Sequence, residues 1–287
     1  MKKRLIIIFL VILLINIFIF SNYIISNIYQ YSFLFIRNLF FYTFIIYIIS
    51  SLLIDNDLLE ILNPISFVTI MSMISGFPSG IKYSKDLLDK GYINEDCANY
   101  LVSFCHFPNP LFITGSVSKI IGFNNSILIL LSIYISSFIT SRILKRNFNI
   151  KTNYIYKDNN IGFMNSLNKA IINSFKTILI IYGTSIISLI FVLIIIKIFK
   201  PTGLLYCVIT LIFDLTKGIF STTLIHNKRI RLYLILIFIT FGSLNIHLQS
   251  KSICGNKINY KYFLIGRIMT RLIILQVILL KMMTNSI

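Results

Sequence analysis

Two short stretches of the chain break apolar runs with residues that leave hydrogen-bonding groups open: Gly76-Phe77-Pro78-Ser79-Gly80 and Phe104-Cys105-His106-Phe107-Pro108-Asn109-Pro110. A proline inside a helix removes one backbone bond and clashes with the preceding turn, so the second stretch divides a helix in two. The half that restarts offers free N–H groups and the positive end of its dipole, which suits carboxylates. Ser75, Gly76, Ser79 and Gly80 at the turn, with Pro108, Asn109 and Pro110 at the break, are therefore candidate substrate-binding residues. Asn245 and Gln249 join them from a third polar interruption, residues 241–250. Asn109, Ser75, Ser79, Asn245 and Gln249 are neutral donors, which bind an anion without a permanent countercharge in low dielectric. Phe77, Phe107 and Phe241 adjoin the three interruptions and supply aromatic walls. Asn109 also reads as a plain cap of the helix that follows it.

Ionisable residues inside apolar segments are functional candidates by default. Asp214 and Lys217 lie three apart in the apolar stretch 203–224, and His247 lies in the third interruption. These three are the coupling or gating candidates. Asp214 with Lys217 also reads as a structural pair, and His106 and His247 as core histidines.

Catalytic chemistry finds no foothold. Of the nine acids only Asp214 sits within an apolar stretch, so no two carboxylates share a helix face there. His106, His226 and His247 have no HExxH spacing, and there is no GxxxxGK loop. Cys97, Cys105, Cys207 and Cys254 form no CxxC pair. The expectation is no catalytic residue, no metal site and no cofactor.

The elements that carry these groups belong to a membrane. Charged residues make up 13% of the 287, against about 25% in an ordinary soluble domain, and mean hydropathy is +0.85. The net charge of +18 sits between apolar runs, not along a polar face with interleaved aromatics. It therefore orients the chain in a membrane rather than binding nucleic acid. After a basic cap at 1–4, a first uncleaved span covers 5–20, and a second covers 33–54, closed by Asp55, Asp57 and Glu60. The next apolar stretch is too short to cross a core of about 30 Å. Residues 63–83 are expected to form a re-entrant hairpin with its tip at 76–80. A short polar helix, 82–91, carries Lys82/Asp86 and Lys85/Asp89 at i,i+4 spacing. Asn94 caps a helix that breaks at 104–110 and resumes through 111–121. A span at 127–140 and a basic cytoplasmic loop at 142–157 follow. A long span then covers 171–199. Apolar segments at 203–224 and 232–240, the break at 241–250 and a last span at 262–280 complete the chain.

The order repeats. Hairpin, broken helix and intact span occur at 63–140 and again at 203–280, with one crossing between them, so the second copy enters from the opposite face. The fold class expected is an all-α polytopic membrane protein built of inverted repeats, the architecture of secondary transporters. Its parts are two amino-terminal spans (1–60), a first repeat (61–141), a basic loop (142–168), a connecting span (169–200) and a second repeat (201–287). Basic residues at 2–4, 142–157 and 251–261 lie on the cytoplasmic side of this topology. Lys228, Arg229 and Arg231 fall on the other.

The run from Gly76 through Lys82 to Leu88, the run Ser103-Phe-Cys-His-Phe-Pro-Asn-Pro-Leu-Phe-Ile113, residues 241–250 and Tyr262-Phe-Leu-Ile-Gly-Arg267 together resemble the sporulation integral membrane proteins of the YlbJ family. That family belongs to the Gate group, with the concentrative nucleoside transporters. The resemblance implies a multi-pass protein of the outer forespore membrane that passes dipicolinic acid toward the forespore. Its implied partners are a small anionic solute, membrane lipid and other sporulation membrane proteins or further copies of itself, with no nucleic acid. Two alternatives stand beside it: a Gate-type carrier for another solute such as a nucleoside, and a non-transporting assembly protein.

Overall fold

The computed structural model describes residues 2–55, 62–152 and 162–284; Asp57, Glu60 and Lys157 lie outside them. The described residues are helical throughout and hold one isolated bridge, between Ile93 and Thr152. Helices α1 (Lys2–Ile19), α2 (Ser21–Phe35) and α3 (Phe41–Asp55) come first. α4 (Pro64–Ser75), α5 (Ser79–Asp89) and α6 (Glu95–Phe104) follow. A wide turn (Phe112–Val117) and α7 (Ser118–Ile121) then lead into α8 (Phe123–Leu144). After α9 (Phe163–Phe199) come α10 (Gly203–Phe213), α11 (Leu215–Ser221), α12 (Lys228–Phe241), α13 (Leu244–Cys254) and α14 (Tyr260–Thr284).

Three stretches, Phe123–Asn147, Phe163–Phe199 and Lys228–Cys254, are long and apolar enough to cross a bilayer, and the bent pair Leu10–Ile19 with Ser21–Phe35 makes a fourth. Their outward faces carry Leu128, Leu131, Ile135, Ile172, Phe175 and Leu179, all exposed. An apolar belt of this kind is far larger than water tolerates. The chain has the make-up of a multi-pass membrane protein.

The amino-terminal helices depart from expectation. α1 ends in a 92° bend, and helix then begins at Ser21, twelve residues before the second span expected at 33–54. The polar residues of 21–32, which no expected span covers, are helical and bond within the helix and to its neighbours. Asn27 donates to the Tyr23 carbonyl (2.9 Å), Ser32 to that of Ile28 (2.7 Å), and Ser32 also meets the Tyr182 hydroxyl at 2.6 Å. A π turn at Ile36–Phe40 joins α2 to α3 without a break.

α4 and α5, of 12 and 11 residues, are about 18 and 17 Å long, and neither could cross. They pack as a hairpin through Ser75 and Phe67 against Tyr83. The helix expected at 82–91 is the continuation of α5. Lys82 pairs with Asp86 at 2.6 Å as its spacing predicts, but Asp89 pairs with Lys257 (2.7 Å) and not with Lys85.

Polar contacts gather at the two ends of α8. At its carboxyl end, Asn94 donates to the Asn149 carbonyl (2.7 Å) and accepts from the Lys151 N–H (3.1 Å). The pairs Lys257–Asp89 and Lys90–Asp55 join the same cluster. At its amino end, Arg231 donates to the carbonyls of Ile120 (3.3 Å) and Ile225 (2.6 Å). α6 therefore starts at the first end, and α7 finishes at the second. α12 starts at the second end, and α13 finishes at the first.

Small residues let these helices touch. A Cβ on Gly266 of α14 would lie 1.6 Å from the Ser103 carbonyl oxygen of α6, and one on Gly80 would lie 1.9 Å from that of Cys105. Close backbone approach through small residues is the usual packing of helices in lipid, where no hydrophobic drive separates helix from tail.

Candidate functional site

Both helix breaks anticipated, within 104–110 and 241–250, exist, and a hairpin turn covers each. The first runs over residues 105–109, between α6 and the helical turn that leads to α7. Asn109 accepts from the N–H groups of Leu111 (2.8 Å) and Phe112 (3.3 Å), so its side chain caps the restarting half. Its amide also donates to the Ser75 carbonyl at 3.2 Å, which ties the break to the tip of the α4–α5 hairpin. The tip comes so close that a Cβ on Gly76, whose φ is +82°, would meet the Asn109 nitrogen at 2.5 Å. Ser75 and Gly76 thus join Asn109, with Pro108 and Pro110 on either side. Ser79 turns away to the Tyr47 hydroxyl (2.9 Å), and Gly80 lies under Cys105.

The second break is narrower than the ten residues anticipated. Only Gly242 and Ser243 leave the helix, and α13 begins at Leu244 because Asn245, Gln249 and Ser250 turn inward and are buried. The Ser243 hydroxyl donates to the Leu211 carbonyl in α10. Asn245 donates to the Asp214 carboxylate at 3.1 Å, and Gln249 donates to Ser185 of α9 at 2.8 Å.

Asp214 is the whole of the turn between α10 and α11. One carboxylate oxygen accepts the Lys217 N–H at 2.7 Å as an N-cap; the other takes Tyr31 (3.2 Å) and Asn245. The Lys217 ammonium donates to Asn27 at 3.2 Å, so the two charges do not meet in an ion pair. Asp214 is buried, and both of its carboxyl oxygens are hydrogen-bonded, as a polar group in low dielectric requires.

Sequence reasoning passed over Arg267 except as part of a motif. It stands eight residues into α14, wholly buried, and forms no ion pair among the described residues. Nη1 donates to the carbonyls of Ile239 and Thr240, both at 3.0 Å. These are among the last carbonyls of α12, which the break leaves without helical partners, and a cation suits the negative end of that helix. The guanidinium lies over the rings of Phe77 (4.5 Å) and Phe263 (5.1 Å). Two arginines one turn apart, Arg267 and Arg271, in an otherwise apolar run were the available signal.

His106 and His247 flank the same Phe263 ring, with centroids 5.9 and 5.8 Å away. His106 Nε2 faces the Thr270 hydroxyl at 3.3 Å, and His247 Nδ1 faces the Tyr260 hydroxyl at 2.6 Å. The hairpin tip, the first break, the second break and the last helix therefore meet around Arg267. No group of three or more His, Cys, Asp or Glu able to hold a metal occurs among the described residues.

No protein-family model, curated protein or solved structure matches this chain.

Proposed function

We propose that this protein is a secondary carrier or facilitator that moves a small anionic aromatic solute across a membrane. The observation that carries the reading is that each broken helix has its interruption sealed by the turn of the preceding hairpin: Gly76 on Asn109, and Asp214 on Asn245. Non-helical backbone at membrane depth persists only where protein buries it or where it lines a wet cavity. Two such crossings are the hallmark of carriers that bind at midplane.

Direction supports an inverted repeat. The first broken helix runs from the end that holds Asp89 and Lys257 to the end that holds Arg231; the second runs back. The intact spans that follow, α8 and α14, are likewise opposed. In this reading the end with Lys145, Arg146, Lys151 and Lys257 is cytoplasmic, in keeping with the bias of Lys and Arg.

The resemblance to the YlbJ family implies dipicolinic acid as the solute and the outer forespore membrane as the place, and both are part of this proposal. Dipicolinate uptake into vesicles loaded with terbium, whose complex with dipicolinate is luminescent, tests the reading. Uptake above that of protein-free vesicles is expected; equal uptake rejects it.

A further inference from the structure

Arg267 has two free donors where a buried guanidinium should have none. With Nη1 committed to Ile239 and Thr240, its Nε and Nη2 meet no protein acceptor. Those two N–H groups lie side by side on one edge of the guanidinium, the edge that takes both oxygens of a carboxylate. Buried donors are almost always satisfied, and a buried charge without a partner is costlier still. The histidines add to the pattern. His106 Nδ1 and His247 Nε2 are also buried and make no well-formed hydrogen bond, although the backbone of Val102 and Phe241 lies near the two rings, so four of the eight such side-chain atoms among the described residues lie around the Phe263 ring. A His247 tautomer that accepts from Tyr260 at Nδ1 leaves Nε2–H to donate.

We propose that Arg267 is the anion-recognising group of this protein: its free edge holds one carboxylate of a planar aromatic acid, His106 and His247 donate beside it, and Phe77 and Phe263 face the ring. The inference rests on the carrier reading and adds to it the residues that read the charge. It also assigns the Gly76–Ser79 turn a role through Phe77, whose ring meets the guanidinium, where the free N–H groups of a helix end were first expected to act. Asn109, with its amide oxygen already holding Leu111 and Phe112, positions that turn.

The test uses the full chain, purified in detergent and in vesicles, with dipicolinate as probe. Dipicolinate should raise the melting temperature of the wild type. The neutral pyridine-2,6-dicarboxamide and inorganic phosphate should do so much less. Arg267→Met should weaken dipicolinate binding at least about tenfold, because bonds to a charged group carry that much. Arg267→Lys, which keeps the charge and loses the fork, should fall between the two. Since Arg267 also holds α12, a second variant guards against misfolding. His106→Gln leaves the Ile239 and Thr240 contacts intact and should weaken binding about threefold or more, the loss of one neutral hydrogen bond.

A folded Arg267→Met protein that binds like the wild type overturns the assignment. So does wild-type affinity in His106→Gln if Arg267→Met fails to fold, or equal stabilisation by the diamide or by phosphate. Wild-type uptake that survives Arg267→Met unchanged leaves the carrier and removes this site. Stabilisation that depends on Arg267 without any uptake keeps the site and removes the carrier.

Discussion

Arg267 and Phe77 are 190 residues apart in the chain, and the guanidinium of one lies 4.5 Å from the ring centre of the other. Such a cation–π contact is strongest where water is excluded, and both groups sit where the first hairpin meets the last helix. It joins the first hairpin to the last helix beside both helix breaks.

The contact of Gly266 with Ser103 leaves no room for a methyl group, and the atom in the way is backbone. Gly266→Ala should therefore destabilise the protein by about 1–3 kcal/mol, the usual cost of overpacking. Gly115→Ala, where nothing lies within 4 Å, should be neutral or slightly stabilising. Thermal unfolding in detergent compares them; equal melting temperatures would refute the close packing of α6 and α14.

Asn109 does two jobs with two different atoms, and substitution separates them. Asn109→Asp keeps an oxygen for the Leu111 and Phe112 N–H groups but loses the donor to Ser75. Asn109→Ala loses both. Hydrogen exchange at Leu111 and Phe112 should stay slow in the Asp variant and quicken in the Ala variant, by about fivefold for a cap worth ~1 kcal/mol. Equal exchange in the two would remove the cap.

Asp214→Ala would strand the Tyr31 hydroxyl, the Asn245 amide and the Lys217 N–H together. Each buried group left without a partner costs about 1–3 kcal/mol, so the variant should accumulate poorly in the membrane. Asp214→Asn retains an acceptor for the cap and should accumulate much better. Quantitative immunoblotting of membranes decides it, and normal levels of the Ala variant would show that the turn does not depend on this carboxylate.

α8 has 22 residues and so spans about 33 Å, with Lys228 near one end and Lys145 at the other. Single cysteines at 145 and 228, in a chain without its four native ones, should react with impermeant thiol reagents from opposite sides of a sealed vesicle. Labelling of both from one side would refute the crossing.

Prolines, glycines and caps were the legible part of this molecule. Pro108 and Pro110 located the first break, Gly76 and Pro78 the hairpin turn, and Asn94 the start of α6. Those signals are local, because backbone torsions depend on the residue itself and its neighbours. Residues 21–32, which fall between the first two expected spans, were illegible for the opposite reason: their side chains bond to their own helix and to Tyr182, a partner that no local window contains. Asp89 likewise chose Lys257, 168 residues away, over the helical neighbour Lys85. Arg267 was visible as a charge in an apolar run, yet its importance lies in which of its nitrogens are occupied, and that depends on where α12 stops.

Both halves of the second broken helix are tied to α14, the second through His247 and Tyr260, and that second half is tied to α9 as well. Arg267 fastens the end of α12 to α14, while Gln249 fastens α13 to α9 through Ser185. Only Gly242 and Ser243 bridge them, and Gly242 sits at φ +92°, a torsion that glycine alone adopts freely. The break is thus a joint: any change of angle between α12 and α13 falls on two residues, one of them a glycine already in the left-handed region.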